Sequence, residues 1–68
     1  MVNTNELKAA IVMNGYSQAE VAHKLNITPR SFYSKMKKHV FNSDEIEQLV
    51  VMLNIENPVP IFFDSLVS

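Results

Sequence analysis

Arg30, Tyr33, Ser34 and Lys37 are spaced i, i+3, i+4 and i+7, so on a helix they project from one face. Together they offer a guanidinium, an ammonium and two hydroxyls, all hydrogen-bond donors, with no carboxylate among them. A guanidinium can bond both O6 and N7 of a guanine in the major groove. Ammonium and hydroxyl groups suit phosphate oxygens, which position a protein on a duplex without reading its sequence. Lys38 and His39 follow and would also suit phosphates. The chemistry suggested is recognition of a polyanion rather than catalysis. With one Gly, no Cys and two distant His, the chain has no glycine-rich phosphate loop, nucleophile elbow or metal-ligand spacing. The expectation is a binding protein, not an enzyme, with no cofactor and no metal.

A face of this kind needs a helix held at a fixed angle, and the residues before it supply one. Ser17 to Met36 reads as two short helices joined by a tight turn. Ser17 and Glu20 form a capping box, and Tyr16 and Val21 are placed as a hydrophobic staple around it. Val21, Ala22 and Leu25 recur at helical spacing and face inward. Ala22 is small enough for a crossing helix to approach. Asn26 stands where the chain reverses and tolerates a left-handed backbone. Thr28 caps the next helix, and Pro29 sits in its first turn, where a missing N–H costs nothing. Ile27 and Phe32 make a second staple, and Phe32 with Met36 forms the buried ridge opposite the donor face.

The apolar–cap–x–x–Glu–apolar opening recurs at Val2-Asn3-x-x-Glu6-Leu7 and at Phe41-Asn42-x-x-Glu45-Ile46. Only the helix begun by Thr28 lacks the carboxylate, with Ser31 in its place. Two explanations stand side by side: Thr28 and Pro29 suffice as a start signal, or a Glu there would repel a nearby phosphate. The spacing predicts four helices, over about residues 3–14, 17–25, 28–37 and 42–53. In the first, Leu7, Ala10 and Ile11 point inward and Gly15 is the stop. In the last, Ile46, Leu49, Val50 and Leu53 make the apolar stripe, with Asn54 as terminator. The tail from Asn57 is apolar with two prolines and reads as a one-turn helix or an extended arm. No stretch alternates with period two, so no sheet is expected.

Sixty-eight residues allow one small domain, 1–68, whose core rests on hydrophobic packing because there is no cysteine. No apolar run approaches a membrane span and the N-terminus does not resemble a signal peptide, so no membrane partner is expected and the location expected is the cytoplasm. The net charge is −1, but it is unevenly placed. Lys24, Arg30, Lys35, Lys37 and Lys38 lie within residues 23–39 with no acid, whereas Asp44, Glu45, Glu47, Glu56 and Asp64 lie after them with no base. A basic segment coinciding with the donor face is the electrostatic footprint of a phosphate-binding surface.

From Leu7 to Phe63 the chain resembles the lambda-repressor-like, or XRE, family of helix-turn-helix domains. The segment Gln18-Ala-Glu-Val-Ala-x-Lys-Leu resembles that family's second helix, and Ile27-Thr-x-x-Ser-Phe its turn and third helix. Leu53-Asn-Ile followed by Pro60-Ile-Phe-Phe resembles the ending of short Cro-like phage regulators. Asn26 replaces the family's usual turn Gly, and Lys35 stands where many members are apolar. The resemblance implies an all-α, compact four- to five-helix DNA-binding domain with the helix-turn-helix at about 17–37 and an apolar tail at about 57–68. It implies that Gln18 contacts the DNA backbone and braces the recognition helix. The DNA-binding set is then Gln18, Thr28, Pro29, Arg30, Ser31, Tyr33, Ser34, Lys35, Lys37 and Lys38.

Two functions follow as expectations. The first is a sequence-specific regulator, a phage or prophage Cro-like repressor that binds double-stranded operator DNA as a homodimer. The second is an antirepressor or modulator that binds a partner repressor protein through the same fold. Val51 and Met52 beside the inward stripe, with Ile61, Phe62, Phe63, Leu66 and Val67 in the tail, form an apolar surplus. The flank of the fourth helix and the segment Ile61–Phe63 are the expected self-association surface.

Overall fold

Each helix begins at a residue whose side chain accepts a hydrogen bond from a first-turn amide, except for the last, single-turn helix. The computed structural model describes residues 1–63, and it is all-helical there: α1 Thr4–Met13, α2 Gln18–Lys24, α3 Pro29–Lys38, α4 Ser43–Met52 and α5 Val59–Phe62. Asp64, Leu66 and Val67, counted above with the acidic half and the tail, lie outside the described residues. Ser17 accepts from the Glu20 amide at 3.1 Å while the Glu20 carboxylate accepts from the Ser17 amide at 2.9 Å. Asn42 and Glu45 repeat this box at 2.8 and 2.9 Å. Thr28 caps α3 through the Ser31 amide at 3.1 Å.

The Asn3 box is only half made. The Asn3 side chain accepts from the Glu6 amide, but the Asn3 amide donates to the Ile61 carbonyl at 2.6 Å instead of to Glu6. A tertiary partner has displaced the local one. That bond brings α5 against the start of α1. The described part of the tail therefore holds a one-turn helix, with Asn57 accepting from the Val59 amide at 3.2 Å.

Four helices end in the same way. Gly15, Asn26, His39 and Asn54 all have a left-handed backbone, with φ of 77°, 61°, 58° and 52°. At each, the next residue's amide reaches back to a carbonyl in the helix: Tyr16 to Ile11, Ile27 to Ala22, Val40 to Lys35 and Ile55 to Val50, at 3.0–3.1 Å. This is the Schellman stop, and an apolar residue follows the left-handed one every time. Tyr16, Ile27 and Ile55 then pack on the core, whereas Val40 stays exposed.

The core gathers one stripe from every helix. Leu7 and Ile11 come from α1, Val21 and Ala22 from α2, Phe32 and Met36 from α3, Leu49 from α4 and Phe62 from α5, with Val2, Leu25, Phe41 and Leu53 from the joints. Phe32 is fully buried, and its ring lies 5.6 Å from that of Phe41. Full burial of a side chain of this size contributes roughly 1.5–3 kcal/mol.

One expectation is overturned here. Phe62 is 3% exposed, so it belongs to the core and not to a surface for self-association. The two prolines stand at the start of α5, and Phe62 at its end is buried in the core cluster. Phe63 is 40% exposed and Ile61 half-buried. Replacing Phe62 by Ala is expected to cost about 3–5 kcal/mol. Thermal unfolding followed by circular dichroism measures this, and a variant melting with the parent would show that the tail contributes nothing to stability.

Candidate nucleic-acid interface

The face expected to carry the chemistry is built by α3. Phe32 and Met36 are buried on α3's inner side, against a core to which α2 contributes Val21 and Ala22. That burial turns Arg30, Ser31, Tyr33, Ser34, Lys37 and Lys38 outward, and all six are exposed. Thr28 is exposed at the cap, while Pro29 is half-buried in the first turn. The Tyr33 ring meets Phe32 edge-on with centroids 6.4 Å apart. Its position is thus fixed by the core while half of its surface remains open.

The five cations of residues 23–39 divide into two groups. The Lys24 ammonium lies 5.4 Å from the centre of the Tyr16 ring, which orients it on the α2 side. The Lys35 ammonium is 3.1 Å from Glu45 Oε2, and Lys35 is only partly exposed. Arg30, Lys37 and Lys38 form no ion pair among the described residues. Three unpaired cations on one helix, with no acid on that helix, make a local positive field despite the protein's net charge.

Glu45 holds two elements at once. One carboxylate oxygen accepts from the Asn42 amide and starts α4, and the other takes the Lys35 ammonium from α3. The residue is 6% exposed, and Met36 at the next position is buried. The place that Lys35 leaves in an apolar pattern is therefore filled by Met36, with the lysine clamped at the flank. Nothing in the spacing announced this pair, because its two members lie on different helices and each has an adequate local explanation.

His39 has a comparable role. Its Nδ1 lies 3.1 Å from the Val2 carbonyl, and its own carbonyl accepts from the Val2 amide at 3.1 Å. The imidazole that sequence placed among phosphate-binding groups is thus half-buried and tied to the N-terminal segment. His39 stops α3 and anchors Val2.

Gln18 is half-buried at the first turn of α2 and shares a cleft with Tyr33, Met36, Lys37 and His39 of the α3 region. The cleft, of about 420 Å³, is completed by Thr4 and Lys8 of α1. Neither α1 residue entered the sequence-based set, because α1 precedes the motif and its periodicity speaks only for its inner face. Among the described residues no cluster of His, Cys, Asp and Glu could hold a metal ion, and no helix is long and apolar enough to cross a membrane.

An α2–turn–α3 unit whose second helix exposes donors and cations defines a helix-turn-helix DNA-binding domain. The family model of the bacterial regulatory protein, Fis family, matches residues 1–39, which span α1, α2, α3 and the His39 stop. The chain belongs to this family of helix-turn-helix DNA-binding regulators. The match differs from the lambda-repressor-like family that the residues resemble, and what it supports in common with it is the helix-turn-helix itself. No curated protein and no solved structure matches the chain.

The Lys35–Glu45 pair gives a measurable consequence. Glu45→Gln keeps an acceptor for the Asn42 amide but removes the charge, and should cost about 1–2 kcal/mol in denaturant unfolding. Glu45→Ala removes cap and pair together and should cost about 2–4 kcal/mol. A Glu45→Gln variant as stable as the parent would mean that the ion pair contributes nothing beyond the cap.

Proposed function

We propose that this protein is a sequence-specific transcriptional repressor of the Cro-like kind, acting in the cytoplasm on operator DNA as a phage or prophage regulator. It works by occupancy rather than catalysis and needs no cofactor. The observation that carries the reading is the outer face of α3, with Arg30, Tyr33, Ser34, Lys37 and Lys38 exposed on a helix whose other side is core. Arg30 lies in the first turn of α3 and Lys37 in the last. Seven residues of α-helix separate them by about 10 Å, close to the roughly 12 Å width of the major groove. Arg30 then addresses a guanine edge, and Thr28, Pro29 and Ser31 stand beside it at the helix start. Tyr33 and Ser34 meet bases or the nearer strand. Lys37 and Lys38 meet phosphates at the groove rim, as Gln18 does from α2. Lys35 contributes by holding α3 to Glu45.

Repression by occupancy is served by two copies on a palindromic site. The molecule measures 31 × 22 × 20 Å, so one copy presents one recognition helix. Two copies side by side would place their helices about 34 Å apart, one turn of duplex. With Phe62 in the core, the exposed flank of α4 around Val51, 78% exposed, is the surface assigned to the homodimer.

The alternative, a modulator that binds a partner repressor, is favoured by one observation. Asp44, Glu47, Gln48, Val51 and Met52 line an open groove along the outside of α4, remote in character from the basic face. Operator binding by the purified protein with a steep salt dependence supports the first reading. Failure to bind, with a tight complex formed with a repressor, supports the second.

Two variants separate base from phosphate contacts. Arg30→Ala should cost about 1–3 kcal/mol on the cognate site and relax discrimination at one base pair. Lys38→Ala should weaken all sequences alike and lower the salt slope by about one. Competition binding across single-base operator variants measures both, and identical profiles would overturn the division. A third variant, Val51→Asp, should reduce dimer formation in sedimentation and operator affinity together, with helical content unchanged. A dimer that persists in that variant would place the interface elsewhere.

A further inference from the structure

We propose that the cleft between α1, the start of α2 and the last turns of α3 is a seat for a backbone phosphodiester of duplex DNA, with Lys8 as its principal cation. The proposal rests on the reading of α3 as a major-groove helix and extends the interface to an element outside the helix-turn-helix.

Three elements contribute to this cleft, and each brings a group suited to a phosphate. Lys8 and Lys37 bring ammonium groups, Gln18 an amide, and Thr4 and Tyr33 hydroxyls. No carboxylate lines it, although Glu6 and Glu20 lie close in sequence. Glu20 is withdrawn by its capping bond to the Ser17 amide. Lys8 is exposed and forms no ion pair among the described residues. A lysine that only solvated the surface of α1 would be indifferent to Lys37. Here the two cations border one cleft, where their mutual repulsion is relieved by an anion between them.

The position fits the duplex. With Arg30 on base edges, Lys37 lies about 10 Å further along the axis and reaches the rim where a strand passes. Lys8 borders the same cleft as Lys37. A phosphate held there is gripped by both, which fixes how deeply α3 enters the groove. Phosphate contacts of this kind set register without reading sequence.

The test uses the full-length protein on an operator duplex and on an unrelated duplex, each over a range of salt. Lys8→Ala should weaken both by the same factor, about three- to tenfold, and lower the salt slope by about one. Lys8→Arg should retain the slope, which a purely structural role for the side chain would not require. An unchanged affinity and slope in Lys8→Ala, with the parent binding normally, overturns the cleft and leaves the α3 reading standing. A parent that binds neither duplex overturns both. Titration with inorganic phosphate, followed by amide NMR, separates the backbone from a free anion. Saturation below about 1 mM at Thr4, Lys8 and Gln18 would identify a small-anion site and overturn the DNA assignment.

Discussion

The structure depends on stopping each of the first four helices at seven to ten residues and turning the chain back onto one core. Helices this short do not persist alone in water, so each is stable only while its apolar stripe is covered by the others. A helix running one turn too far would carry its stripe past the core. The left-handed residues at Gly15, Asn26, His39 and Asn54 enforce the limit, and the apolar residue after each aims the chain inward at three of the four stops. The stop at Asn26 matters most for function. It sets the angle at which α3 leaves α2, and hence how far the outer face of α3 stands from the rest of the molecule. In a left-handed position an ordinary side chain costs roughly 1–2 kcal/mol, and Asn offsets much of this through its short polar side chain.

Starts and stops together explain why α3 is both rigid and free. It is held at its first turn by Thr28, on its inner side by Phe32 and Met36, at its flank by Lys35 on Glu45, and at its end by His39. These restraints leave Arg30, Tyr33, Ser34 and Lys37 exposed. A face so restrained loses little conformational freedom on binding beyond that of its own long side chains. Charge follows the same division. Among the described residues Glu20 caps α2, Glu6 stands on the first turn of α1 and the other acids lie on α4 or beyond, while the cations left unpaired on α3 all lie outward.

Most of this was legible in the sequence because it is local. Ser17 with Glu20, Thr28 with Pro29, and Asn42 with Glu45 signal helix starts within four residues, and Gly15, Asn26 and Asn54 signal stops at single positions. The inward stripes of α1 and α3 follow from spacing alone. What was not legible needed partners distant in the chain. The Asn3 amide had a local acceptor in Glu6 yet is taken by Ile61, which becomes available only once α5 has docked. Glu45 and Lys35 each had a role of their own, and only packing of α4 against α3 joins them. His39 carries no stop signal comparable to Gly or Asn, and its left-handed backbone is compensated by two bonds to Val2.

Phe62 shows why an apolar tail is ambiguous from sequence. Five apolar residues after two prolines are compatible with a sticky surface and with a lid, since hydrophobicity has no direction. What decides between them is whether the core has a gap for the side chain. Here α5 docks on α1 and Phe62 is buried in the shared core cluster. The same reasoning sharpens the reading of α4. Its inner stripe is used by the core and its N-terminal carboxylate by α3, so only the outer row from Asp44 to Val51 remains for a partner. Because this row is acidic and the α3 face is basic, a second copy joined along α4 leaves the α3 faces open. In the proposed dimer the acidic rows would face each other, so salt would screen repulsion there while it weakens DNA binding.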